Sequence, residues 1–201
     1  MGNFIFSDGF DQNPAYDELP PIIVEIDGVP LSLMEYKQSI SVKRAAVMSK
    51  YVSYGIETGM GFWETEYKNE TPLDALKRVA LGEAVRRKII QIFARQKGVT
   101  TEITYKTFLQ GYESENNRRT EALANNQVIY GPKKYEAAIF FDLHISNLSA
   151  ETIKAIERES KYTDGKTADN EYEKTIAEMI QKANIKINHE IYDNISVDDI
   201  N

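Results

Sequence analysis

Residues 21–36 read PIIVEIDGVPLSLMEY and residues 183–188 read ANIKIN, and these two stretches decide the fold. Each predicts a short β-strand with no neighbouring strand along the chain. A lone strand leaves backbone groups unpaired and is barely stable in water, so we expect the two strands to pair with each other. This pairing would close residues 21–192 into one domain.

Capping residues mark the starts of two helices. Ser32 and Glu35 form a capping box, in which the serine oxygen accepts from the helix backbone and the glutamate reaches back. The helix that begins there is predicted to end near residue 54. Thr71 followed by Pro72 predicts the N-cap and first residue of a second helix, which continues to about residue 97.

Three further helices are predicted between residues 104 and 183. The third begins near Thr104 and becomes wholly polar over residues 113–121, which indicates an arm in solvent or a face waiting for a partner. The fourth follows Gly131-Pro132 and ends near Ser160. Residues 161–167 are predicted to be a linker, after which Asp169 offers a cap for the fifth helix.

The predicted fold class is therefore mainly α, with about five helices and a small pair of strands from the two ends of the chain. With 201 residues, one domain is expected. Residues 1–20 are predicted to be a flexible acidic leader, and residues 193–201 a C-terminal tail.

Composition excludes several classes of function. The chain has 31 acidic and 24 basic side chains and a net charge of −7, which opposes binding to nucleic acid. It contains no cysteine, so disulfides, thiol catalysis and cysteine-ligated zinc are excluded. No run of apolar residues in the sequence is long enough to span a membrane.

The sequence leaves the compartment open. Absence of cysteine fits the outside of a bacterial cytoplasmic membrane, but many cytosolic proteins also lack cysteine. Residues 1–21 contain no lysine or arginine, unlike the basic start of a signal peptide. Met1-Gly2 is also compatible with a signal peptide that has been removed.

The pattern of polar residues predicts no catalytic, cofactor-binding or metal-binding group. His144 and His189 are far apart, and neither has a cysteine or serine motif beside it. The glycines at 55, 59 and 61 lack the Lys-Ser/Thr of a phosphate-binding loop, so they predict a connector.

The candidate binding site is a cluster of aromatic and methionine side chains where the first helix meets its following loop. We expect these side chains to line the concave side of the first two helices and to bind apolar peptide side chains, because rigid rings and a soft thioether can repack around different partners. The alternative is that Phe62 and Trp63 fill the domain's own core. The cluster consists of Tyr51, Tyr54, Met60, Phe62, Trp63 and Tyr67.

The order of these elements resembles the chaperone module of the SurA and PrsA type, which is related in fold to the peptide-binding part of trigger factor. The segments that carry the resemblance are residues 24–36, 71–97, 105–119 with 129–132, and 172–188. In that family a parvulin prolyl isomerase domain is inserted before the last helix. Here a short linker occupies that place, so the resemblance implies a chaperone fold without isomerase activity.

Two functions remain open at this stage. The first is a non-catalytic chaperone or holdase that acts outside the cytoplasmic membrane on unfolded or secreted polypeptides, without a small-molecule cofactor. The alternative is a structural or adaptor protein of the same fold with one dedicated protein partner. A homodimer and membrane anchoring of a native precursor are both compatible with the sequence.

Overall fold

The computed structural model describes residues 20–160 and 165–200, and within these ranges the protein is mainly α-helical with one antiparallel sheet. The predicted fold class is thus confirmed. The leader at 1–19 and the linker residues 161–164 lie outside the described residues. The elements are β1 (Ile22–Ile26), β2 (Val29–Ser32), α1 (Leu33–Ser53), α2 (Pro72–Gln96), α3 (Tyr105–Ala124), α4 (Ala137–Ser160), α5 (Gly165–Lys182), β3 (Ile185–Ile187) and α6 (His189–Tyr192), with 3₁₀ helices at Phe62–Glu64 and Val197–Ile200.

The sheet joins the two ends of the chain. Strand β1 lies between β2 and β3 and is antiparallel to both. Val24 is opposite Ile187 and Ile26 is opposite Ile185, so the predicted pairing of the terminal segments is confirmed. The backbone N–H of Asp27 extends this ladder by donating to the carbonyl of Asn184 at 3.0 Å.

Strand β2 is an element that the sequence analysis does not include. Asp27 and Gly28 have φ values of 49° and 80°, the conformation of the tight turn that joins two antiparallel strands. Pro30 lies within β2, which is an edge strand and therefore tolerates a residue without a backbone N–H.

Both predicted helix starts are confirmed, and each is closed by a reciprocal capping box. Ser32 Oγ accepts from the Glu35 N–H, and a Glu35 carboxylate oxygen accepts from the Ser32 N–H at 2.9 Å. Thr71 and Asp74 form the same arrangement at the start of α2, with Pro72 as its first residue. These caps satisfy backbone donors that a helix start leaves unpaired.

Helix α5 begins five residues earlier than an N-cap at Asp169 indicates. It starts at Gly165, so Asp169 lies inside the helix and residues 165–167 belong to it rather than to a linker. The reason is packing. Ala168, Tyr172 and Ile176 are buried at steps of four residues, so the apolar stripe of the helix already begins before Asp169.

The core lies between α1, α2, α4 and α5, with the sheet covering one end. Helix α2 is central, because it contacts both α1 and the pair formed by α4 and α5. Tyr36 on α1 is fully buried, and its hydroxyl donates to the carbonyl of Lys77 on α2 at 3.0 Å. Burial raises the pKa of Tyr36, so this hydroxyl stays neutral and keeps its hydrogen bond.

A buried ion pair connects the start of α1 to the middle of α2. Lys88 Nζ lies 2.5 Å from a carboxylate oxygen of Glu35, and the two side chains are only 1% and 5% exposed. The same ammonium donates to the carbonyl of Ile103, just before α3, at 3.0 Å. The Glu35 carboxylate thus caps α1 and also pairs with Lys88. The ammonium of Lys88 thereby joins α1, α2 and the segment before α3.

Residues 193–200, which the sequence analysis assigns to a tail, pack onto the domain. Ile195 and Ile200 are buried in the core. Lys77 Nζ donates to the carbonyls of Asp193 at 3.1 Å and Ile195 at 3.4 Å. The segment is therefore part of the fold, since it covers apolar surface and supplies the acceptors for a buried ammonium group.

Candidate functional site

The predicted site lies on the loop between α1 and α2, residues 54–71, which we call the aromatic loop. Gly59 and Gly61 have φ values of 151° and 83°, which a residue with a side chain rarely adopts. The two glycines turn the backbone on either side of Met60, whose side chain is fully exposed. Met60 therefore stands at the tip of the loop.

Phe62 and Trp63 face the core instead of solvent. They form the 3₁₀ helix of the loop, are 2% and 8% exposed, and contact each other edge to face at 5.1 Å. The guanidinium of Arg44 lies over the Trp63 ring at 5.7 Å. Of the two readings of these residues, packing in the core therefore fits the structure.

Three tyrosines are grouped where α1 ends. Tyr51 is buried, and its hydroxyl donates to the Glu70 carboxylate at 3.1 Å. Burial and this contact with Glu70 raise the pKa of Tyr51. Tyr54 is exposed and stacks on the half-buried Tyr67 with ring centroids 4.9 Å apart. The stack presents one aromatic face at the surface.

Local backbone structure fixes this stack. Lys68 and Asn69 have φ values of 53° and 63°, and the backbone groups of Tyr67 and Glu70 on either side of them hydrogen-bond to each other. This is a tight turn that sets the direction of Tyr67. The ammonium of Lys68 lies 5.1 Å from the ring of Tyr67, which holds the ring by a cation–π contact.

A surface pocket of about 400 Å³ opens beside Met60. Its walls include the apolar side chains of Met48, Trp63 and Val197, and the charged side chains of Arg44 and Glu64 stand at the same pocket. This size and the apolar part of the lining suit one or two apolar side chains of a bound polypeptide.

The structure thus divides the predicted cluster. Tyr54, Met60 and Tyr67 contribute to the surface, while Tyr51 and Phe62 lie in the core with Trp63, whose edge reaches the pocket. The loop is predicted from the sequence, but Arg44 and Met48 on α1 and Val197 near residue 200 are not part of the predicted cluster. Arg44 and Met48 lie one turn apart on α1, but Val197 is about 150 residues away, and only the fold brings it to the pocket.

A second surface, which the sequence analysis does not identify as a site, lies on the arm formed by α3 and the loop at residues 125–136. The loop returns along the polar part of α3. Asn116 accepts from the N–H of Tyr135 at 2.8 Å and donates to its carbonyl at 3.2 Å. The polar face of residues 113–121 is therefore partly covered by the chain itself.

Arg119 fixes the loop in place. It is 5% exposed and donates to the carbonyls of Tyr130 at 3.0 Å and Pro132 at 2.6 Å. Its guanidinium also lies 4.3 Å from the centre of the Tyr135 ring and contacts the Glu115 carboxylate at 2.8 Å. The buried guanidinium of Arg119 thus provides donors for the carbonyls of Tyr130 and Pro132, and these hydrogen bonds fix the loop at residues 125–136.

The arm exposes large apolar side chains. Val128 and Tyr130 are 83% and 88% exposed, and Ile139 and Leu143 in the adjoining helix α4, which is not part of the arm, are exposed as well. The sequence signal for this exposed surface is Ile129-Tyr130-Gly131-Pro132. Apolar residues are usually buried, so apolar residues placed next to a turn are notable.

We expect the free energy of unfolding to depend on pH through the carboxyl group of Glu115 on α3. Its contacts with Arg118, above all, and with Arg119 lower the pKa of this carboxyl from 4.5 to about 2. Since the unfolded state binds the proton more readily, this contribution is complete above pH 4.5 and is lost as the pH falls toward 2. The difference in free energy of unfolding between the parent and Glu115→Gln is expected to be largest near pH 6 and to vanish near pH 2.

Urea unfolding at several pH values, followed by circular dichroism, measures this difference. Glu121→Gln serves as the matched control, because Glu121 is an exposed carboxylate on the same helix and makes no ion pair within residues 20–160 and 165–200. A Glu115→Gln variant whose stability tracks the parent at every pH contradicts the role of this carboxylate.

His144 and His189 each contact other side chains of the domain. His144 packs against the rings of Phe108 and Phe141, and burial lowers its pKa. His189 lies on α6, where it contacts Asp193 at 3.3 Å. In the ranges 20–160 and 165–200 no group of three or more histidine, aspartate or glutamate side chains is placed to hold a metal ion.

Comparisons of the chain with protein-family models, with curated proteins and with solved structures found no match. They therefore provide no link to the chaperone module that the order of elements resembles. Among the described residues, no helix has the length and apolar character needed to cross a membrane.

Proposed function

We propose that the protein binds extended apolar segments of other polypeptides without catalysing a reaction, as a chaperone or holdase outside the cytoplasmic membrane. The observation that carries this proposal is the fully exposed Met60 at a pocket whose walls include the apolar side chains of Met48, Trp63 and Val197. The resemblance in the order of elements supports the same class of function.

The aromatic loop has properties that suit varied partners. Methionine adapts its shape to different surfaces, and the stacked Tyr54 and Tyr67 offer a rigid face nearby in the chain. Met60 is fully exposed, so it adds little to the stability of the domain itself. We expect affinity near the micromolar range, about 8 kcal/mol, which permits release of a bound segment.

The double variant Met60→Ser, Tyr54→Ser is expected to weaken binding of a permanently unfolded test protein by at least about tenfold, because two apolar contacts are lost. Both side chains are exposed, so the free energy of unfolding should fall by less than about 1.5 kcal/mol. Fluorescence anisotropy of the labelled test protein measures the affinity, and urea unfolding measures the stability.

Phe62→Ala is the control for the core. It should reduce the free energy of unfolding by about 3–5 kcal/mol, because the ring is buried. If the double serine variant binds the test protein as tightly as the parent does, the aromatic loop is not the binding site.

The adaptor function is favoured by a different observation, the fixed backbone and exposed Val128 and Tyr130 of the arm. An adaptor should not delay the aggregation of several unrelated unfolded proteins, whereas a holdase should delay each of them at near-equimolar amounts. Light scattering with three unrelated test proteins separates the two functions.

A further inference from the structure

The arm holds a set of exposed side chains on a backbone that is already fixed. Buried Arg119 and Asn116 make hydrogen bonds to the backbone of Tyr130, Pro132 and Tyr135. The side chains of Val128 and Tyr130 nevertheless point into water. A surface held rigid before binding loses less conformational entropy when a partner docks, so this arrangement is typical of an interface.

The same loop carries positive charge in a chain with a net charge of −7. Lys133 and Lys134 are exposed, and neither makes an ion pair within residues 20–160 and 165–200. Glu136 is the one carboxylate in the loop. We call the exposed side chains of Val128, Tyr130, Lys133, Lys134 and Ile139 the arm surface. Its complement is a segment that combines apolar side chains with carboxylates.

Residues 1–19 have this composition. They contain aromatic and aliphatic side chains close to carboxylates, and they contain no lysine or arginine. The apolar set includes Phe4, Ile5, Phe6 and Phe10, and the acidic set is Asp8, Asp11, Asp17 and Glu18.

These residues are long enough to reach the arm. The described chain starts beside α1, where the carbonyl of Pro21 accepts from the N–H of Leu33. Gln38, about 8 Å further along α1, contacts Tyr105 at the base of α3. Arg119 lies about 21 Å further along α3. The path is roughly 40 Å with the widths of the helices included, whereas 19 extended residues span about 63 Å.

We propose that the arm surface binds residues 1–19 of the same chain, with the apolar side chains of that segment against Val128, Tyr130 and Ile139 and its carboxylates near Lys133 and Lys134. This interaction goes beyond the proposed function, because it occupies a different surface from the aromatic loop.

The absence of cysteine from the chain permits a direct test. Ser7→Cys introduces a single thiol for a nitroxide label, and the backbone amides of the isotope-labelled full chain report which residues come near it. We expect strong relaxation of the amides of residues 128–131, 133 and 134, since Pro132 has no N–H, and little effect on α5. In a mixture where the nitroxide and the isotope are on different chains, the effect should disappear.

Variants of the arm surface test its chemistry. Val128→Ser with Tyr130→Ser should lower the ratio of bound to free segment by at least about tenfold, since both apolar contacts are lost. Lys133→Glu with Lys134→Glu should also lower the ratio of bound to free segment. For the parent chain, 1 M salt should lower this ratio because charges are then screened beyond about 3 Å. Val52→Ser, which removes an exposed apolar side chain on α1, is the matched control and should change nothing.

The proposal is refuted if the label leaves residues 128–134 unaffected, or if its effect on them survives the double serine variant. It is also refuted if the effect persists undiminished in the mixture of chains. Amide spectra of each variant show that the fold is intact, so loss of the contact cannot be mistaken for unfolding.

Discussion

Ending the chain after Gln181 is expected to abolish cooperative unfolding of the domain. The truncation removes β3 and leaves one edge of β1 unpaired. It also removes Ile195 and Ile200 from the core and takes away the two carbonyls that accept from Lys77. Burial of each isoleucine contributes about 1.5–3 kcal/mol, and a domain has only about 5–15 kcal/mol in total.

A shorter truncation separates the two contributions. A chain that ends after Tyr192 keeps β3 but loses the segment at 193–200, and we expect its free energy of unfolding to fall by about 3–6 kcal/mol. Urea unfolding followed by circular dichroism measures both chains. If the chain ending after Tyr192 is as stable as the parent, these residues are a dispensable tail after all.

Lys88→Met is expected to reduce the free energy of unfolding by about 3–5 kcal/mol. Methionine fills a similar volume, so the main effect is electrostatic. The Glu35 carboxylate would remain buried without its cation, and the carbonyl of Ile103 would lose its donor. Removing one partner of a buried pair costs more than removing both, because one charge is left uncompensated.

Two controls identify this mechanism. Lys174→Met removes an ammonium that is 78% exposed and lies 3.9 Å from its carboxylate partner, so it should cost at most about 1 kcal/mol. Glu35→Gln combined with Lys88→Met removes both charges and should recover part of the loss, since glutamine can still serve the α1 cap. Equal stability of Lys88→Met and Lys174→Met would show that the buried pair is not a main determinant of the fold.

Local chemistry explains why much of the fold could be predicted. Ser32 with Glu35 and Thr71 with Pro72 mark helix starts whose signals lie within four residues, and both are confirmed. The strand pairing could be predicted because unpaired backbone groups must find partners somewhere, and the chain offered few candidates.

Strand β2 and the packed C-terminal segment are missing from the predicted fold for two different reasons. Val29–Ser32 is too short and too close to a helix cap to be distinguished from a turn by its sequence. Its antiparallel pairing with β1 across the Asp27-Gly28 turn makes it a strand. Ile195 and Ile200 are isolated apolar residues among polar neighbours, and their burial follows from the position of α1 and α2 rather than from any periodic pattern.

The candidate site was predictable as a region but not in its details. Aromatic residues between glycines indicated an unusual loop, but φ freedom at Gly59 and Gly61 lets neighbouring side chains point either inward or outward. Packing decides that Phe62 and Trp63 point inward and Met60 points outward. The contact of Arg44 with the Trp63 ring spans two elements and has no local signal.

The pairing of the first strand with the last has a consequence for synthesis of the protein on the ribosome. Glu25 in β1 and Lys186 in β3 are separated by 161 positions. At about 5–20 residues per second, β1 waits roughly 8–30 s after its own translation before β3 is made. During that interval its edge is open to pairing with other nascent chains. The sheet can therefore be completed only after residues 185–187 have left the ribosome, and until then one edge of β1 remains unpaired.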